Sequence, residues 1–66
     1  MFKYALSFLN EYVEIRTYLT KSNLYGKIID VTPYDVALLR DHIEKSSSDN
    51  YTLYIPLSSI ISIKNI

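Results

Sequence analysis

The chain has no cysteine and no tryptophan, and only one histidine, one glycine and two prolines among its 66 residues. Without cysteine there are no disulfides and no thiolate metal centres. A lone histidine, His42, is too few for a histidine metal site within one chain. A single glycine excludes a glycine-rich phosphate cradle. A dominant charge is missing as well, because seven Lys and Arg balance seven Asp and Glu, for a net charge of +0. Sequence-blind nucleic-acid binders are usually clearly basic, so any such contact here has to be local. No apolar run approaches the length of a membrane span. Residues 1–10 carry Lys3 but no long apolar core and no small-residue cleavage site, a poor secretion signal. The expectation is a cytoplasmic protein with no membrane contact, no metal and no cofactor.

What is present is apolar. Hydrophobic residues make up 48% of the chain and aromatics 14%, too much for a disordered segment. The length holds one domain, residues 1–66. A domain this small buries a modest share of its surface and usually draws on disulfides, a metal or partner chains. Composition removes the first two, so partner subunits are expected and the chain reads as a homo-oligomer.

Phe2, Ala5, Phe8 and Leu9 fall at helical spacing, widened by Tyr4 and Leu6, and predict a short amphipathic helix over about 2–10 that stops at Asn10. From Glu11 the period changes to two. Val13, Ile15, Thr17 and Leu19 share one face and Tyr12, Glu14, Arg16 and Tyr18 the other, predicting a half-buried strand over about 11–19. Thr20-Lys21-Ser22-Asn23 supplies turn chemistry. A second strand is predicted over about 24–32, with Gly26 marking a bend, a bulge or a close backbone approach. Pro33-Tyr34-Asp35 breaks it. Val36-Ala37-Leu38-Leu39 opens a third strand over about 36–42, ending near Asp41 or His42. Ser46-Ser47-Ser48-Asp49-Asn50 reads as a flexible hairpin loop. A fourth strand over about 51–55 is ended by Pro56, Leu57-Ser58-Ser59 reads as a tight turn, and a fifth strand follows over about 60–65. The fold class is mainly β: a short N-terminal helix, then a five-stranded, strongly bent antiparallel barrel of SH3-like or Sm-like type. Closure is the usual way to limit exposed sheet edges.

Few side chains suggest chemistry. His42 beside Asp41 has no nucleophile or second histidine to work with, so no enzyme is expected. Asp30 and Asp35 lack the further oxygen ligands of a cation loop. Arg16, Lys21, Lys27 and Arg40 read either as phosphate contacts or as a solvated strand face. Tyr34 reads either as a stacking platform or as a cap after Pro33. Tyr12, Tyr18, Tyr25, Tyr51 and Tyr54 read either as an external binding surface or, the more usual place for tyrosines on alternating strands, as core or interface residues.

The order of elements resembles the Sm/Hfq-like family. Its first motif is similar to the stretch from Val13 to Leu39, centred on Gly26-Lys27-Ile28-Ile29-Asp30-Val31-Thr32-Pro33-Tyr34-Asp35-Val36-Ala37-Leu38-Leu39. Its second is similar to Tyr54-Ile55-Pro56-Leu57-Ser58-Ser59-Ile60-Ile61-Ser62-Ile63. The likeness covers nearly the whole chain and extends to short Sm-like proteins of low-GC Gram-positive bacteria. It implies a bacterial ring-forming protein that binds single-stranded RNA. Tyr34 would stack on a base, with Lys27 and Arg16 as local basic contacts. It also implies a ring in which the fourth strand of one copy pairs with the fifth of the next, with Tyr51, Leu53 and Ile55 meeting Ile61 and Ile63. The alternative is that these strands close the barrel within one chain. Where the family carries a basic, histidine-bearing turn, this chain has Leu57 and Ser58, and Thr32 replaces the usual acidic turn residue. A second function therefore stands beside the first: a non-catalytic structural or protein-interaction module that oligomerises through its edge strands without nucleic acid.

Overall fold

The period-two stretch forms a strand because its β-branched residues alternate onto one face. Strand β1 is Tyr12–Thr17, with Val13, Ile15 and Thr17 buried and Tyr12 and Arg16 exposed. The computed structural model of the chain describes residues 1–40 and 51–66, Tyr51 by its backbone alone. Around β1 it shows helix α1 (Phe2–Leu6) and strands β2 (Leu24–Val31), β3 (Asp35–Arg40), β4 (Tyr51–Pro56) and β5 (Ile60–Asn65), with a 3-10 turn over Leu57–Ser59. The expected strand end at Asp41 or His42 and the expected loop at Ser46–Asn50 lie outside the described residues.

All neighbouring strands are antiparallel, in the order β4-β3-β2-β1-β5 within one five-stranded sheet. Strand β2 is shared. Its first half pairs with β1 (Leu24 opposite Ile15, Lys27 opposite Tyr12) and its second half with β3 (Lys27 opposite Leu39, Val31 opposite Val36). At the hand-over the register slips and leaves Ile29 as the extra residue of a bulge, which bends the strand. A second slip leaves Ile61 extra on β5, opposite the Arg16–Thr17 step. Both extra isoleucines are exposed.

The bend brings distant strands to one core. Val13 and Ile15 of β1, Ile28 of β2, Val36 and Leu38 of β3, Ile55 of β4 and Ile63 of β5 form one cluster with Ala5, Leu24, Leu57 and Ile60. Fully burying a side chain of this size contributes about 1.5–3 kcal/mol. Gly26 serves close approach. A Cβ there would lie within hard contact of the Leu39 carbonyl oxygen and 3.1 Å from Leu38 Cγ. Backbone, unlike a side-chain tip, cannot step aside.

Several expectations need correction. The sheet is not closed into a barrel. The 3-10 turn delivers Ile60 directly opposite Thr17, so β5 starts on β1 and never runs beside β4. The helix ends at Leu6, not near Asn10. Phe8 N–H bonds the Ala5 carbonyl and Leu9 N–H that of Leu6, the tighter three-residue spacing, and Asn10 turns the chain at φ 70°. Leu9 is consequently exposed, whereas Ala5 is fully buried and Phe2 and Phe8 pack on the core. Strand β1 ends at Thr17, not Leu19. The Thr17 hydroxyl accepts hydrogen bonds from the N–H groups of Leu19 (3.1 Å) and Thr20 (3.3 Å), which curls the chain away from the sheet. Leu19, expected on the buried face, is 67% exposed. Strand β4 includes Pro56, paired with Asp35, where a stop was expected.

Candidate functional site

The turn between β2 and β3 is built around one hydroxyl. Thr32 Oγ1 accepts from the backbone N–H of Tyr34 (3.1 Å) and of Asp35 (3.0 Å) and donates to Asp35 Oδ1 (2.9 Å). The Thr32 N–H bonds the Asp35 carbonyl at 2.9 Å, and Pro33 fixes its own φ. The aromatic at the tip is thus held out by a locked backbone. Tyr34 is 81% exposed. A presented ring of this kind has a free π-face for stacking, and its backbone is already ordered.

The 3-10 turn lies between this turn and the end of β1. Leu57 N–H donates to the Tyr34 carbonyl and Tyr18 N–H to the Ser59 carbonyl, both at 2.9 Å. Two exposed aromatics therefore flank one short element, for Tyr18 is 77% exposed. This exposure removes the core reading of Tyr18. The signal for it in the sequence is the turn chemistry just beyond Thr17, which takes Tyr18 out of the sheet.

The expected basic contacts do not gather at Tyr34. Arg16 is exposed on β1, opposite Ser62 of β5. Lys27 is half-buried at mid-sheet, opposite both Tyr12 and Leu39, with Nζ 6.0 Å from the centre of the Tyr12 ring. On the same outward face Glu14 accepts hydrogen bonds from the Asn23 amide and the Tyr25 hydroxyl and pairs with Lys64 at 3.7 Å. Leu57, in the turn that carries no basic residue, is buried in the core. Among the described residues no three His, Asp or Glu side chains cluster as metal ligands. No helix among them is long and apolar enough to cross a membrane.

The expected interface residues divide. Ile55 and Ile63 are core residues, and Leu53 packs against the same cluster. Ile61 is exposed, at the bulge. The Tyr51 side chain lies outside the described residues. What the two strands do offer is backbone. In an antiparallel ladder a residue's N–H and C=O face the same neighbour, and the side alternates along the strand. The bond from Leu57 N–H to the Tyr34 carbonyl continues the β3–β4 ladder, so Leu53 and Ile55 face β3, while Thr52, Tyr54 and Pro56 face outward. Proline is tolerated at position 56 for this reason: the donor it lacks would face no partner in the ladder. By the same rule, the bond from Ile66 N–H to the Tyr12 carbonyl turns Ser62 and Lys64 toward β1 and leaves Ile63 and Asn65 facing outward. No strand among the described residues covers either outer edge.

No family model, no curated protein and no solved structure matches the chain.

Proposed function

We propose that the chain is a non-catalytic, cytoplasmic unit of the Sm-like type, built on an open, bent five-stranded sheet. It assembles into a ring by pairing β4 of one copy with β5 of the next, and it holds single-stranded RNA by stacking a base on Tyr34. The observation that carries this reading is the Thr32–Asp35 turn, which keeps Tyr34 81% exposed on an ordered backbone. The strand order supports the assembly half, since it puts β4 and β5 at the two ends of the sheet with outward backbone groups. Arg16 and Lys27 would supply phosphate contacts along the outer face, at a distance from the stacked base.

The test is fluorescence anisotropy with labelled U-rich and A-rich oligomers at low salt. Base stacking contributes about 1–3 kcal/mol, so Tyr34→Ala is expected to weaken binding by roughly 5- to 150-fold. Binding should also fall as salt rises, because phosphate contacts release counterions. Equal affinity of Tyr34→Ala and wild type, or no binding by wild type, removes the RNA half.

Two observations favour the second reading, a protein-interaction module that assembles without nucleic acid. The buried Leu57 stands where a basic turn would touch phosphate, and the net charge is +0. Light scattering on a sizing column with dual-wavelength absorbance separates the two. Oligomers free of nucleic acid that also ignore the oligomers above belong to the second reading.

A further inference from the structure

We infer that the Tyr4 hydroxyl is a lock on the outer edge of β5, and that β4 of a second copy docks there only by displacing it. The inference rests on the edge-pairing half of the reading above. Tyr4, in α1, donates a hydrogen bond to the Ile63 carbonyl, 59 residues away in sequence. That carbonyl is not a spare acceptor from the β1 ladder, because Ile63 faces outward with Asn65. An antiparallel strand that spans Ile63 places a backbone N–H on this same carbonyl. Tyr4 thus holds the acceptor that the pair requires.

The geometry makes the lock firm but removable. Tyr4 is set in place by its neighbours: Ala5 is buried in the core, Phe2 and Phe8 pack against it, and the Tyr4 ring meets Phe8 edge-on with centroids 5.3 Å apart. The helix that carries it has five residues, too few to persist without docking. Displacement therefore costs the docking contacts of one short element and leaves the sheet intact. The occupant is a second copy, for two reasons. The outward groups of β4 (Thr52, Tyr54) and of β5 (Ile63, Asn65) share the same two-residue spacing, which allows reciprocal backbone bonds. And β4 carries no charged residue to discourage pairing.

The test compares wild type with Tyr4→Phe, which keeps the ring on Phe8 and removes only the donor; circular dichroism and melting verify that the variant is folded. Self-association is read by sedimentation velocity over a concentration series. Binding of a labelled six-residue peptide with the β4 sequence is read by anisotropy. With a net hydrogen bond removed from the competing state, the variant should bind the peptide and itself several-fold more tightly, on the order of 2- to 10-fold. Peptide binding that is equal, weaker or undetectable in the variant overturns the lock, whether or not whole chains associate. If the variant binds the peptide more tightly while whole chains stay monomeric, the lock stands and the ring falls.

Discussion

The two edge strands are made of similar apolar residues, yet their outer edges are guarded very differently. Strand β5 has a bulge at Ile61, a lysine at position 64 and a tyrosine hydroxyl on its Ile63 carbonyl. The bulge and the lysine are known ways to keep an edge from pairing with another chain, and the hydroxyl occupies a backbone acceptor on that edge. Strand β4 has the sequence Tyr-Thr-Leu-Tyr-Ile-Pro, with no charge, and among the described residues its one edge device is Pro56, at the far end. A protein that needed only to avoid association would guard both edges. Guarding one suits a donor strand and a controlled acceptor.

Four substitutions test that contrast. The largest effect should come from the pair Ile55→Ala and Ile63→Ala, made separately. Both side chains are in the core, so each should lower unfolding free energy by about 2–5 kcal/mol, measured by urea denaturation. Similar losses would show that the edges differ in their backbones and not in their grip on the interior; a cost below 1 kcal/mol at either would contradict the burial. Next comes Tyr54→Pro. The N–H at position 54 faces outward, so the β3–β4 ladder keeps its bonds. Self-association should weaken by at least about tenfold, equivalent to ~1.4 kcal/mol, with the monomer still folded by circular dichroism. Unchanged association would move the interface off β4. The smallest effect belongs to Lys64→Ala. Its partner Glu14 is reached at 3.7 Å from a largely exposed ammonium, and such pairs contribute ~0–1 kcal/mol. The melting temperature should barely move, while association through β5 should rise if the lysine guards that edge.

Much of the architecture could be read from residue order, because alternation and turn chemistry are local. The buried face of β1 from Val13 to Thr17, the break at Pro33, the tip position of Tyr34 and the need for glycine at 26 all follow from patterns within a few residues. What sequence reasoning missed depends on partners far along the chain. Pro56 looked like a stop because the side its nitrogen faces is set by the β3–β4 register. The inward aim of the Ile55 and Ile63 side chains is likewise set at long range, because alternation tells which residues share a face, not which face is inside. The helix looked longer because Phe8 and Leu9 continue the apolar spacing past the point where the backbone tightens. The Thr17 and Thr32 hydroxyls decide where β1 ends and how Tyr34 is held, and threonine suits both strands and turns. The bond from Tyr4 to Ile63 joins the two ends of the sequence and leaves no local trace.

Strand β2 has a consequence for how the molecule comes apart. Its Leu24 end belongs to one ladder and its Val31 end to the other, with Lys27 in both. Neither half of the sheet can peel away as an independent cooperative block without tearing the strand it lends to the other. Melting should accordingly run as a single all-or-none transition, with the amides around Lys27 and Ile28 opening only when everything does.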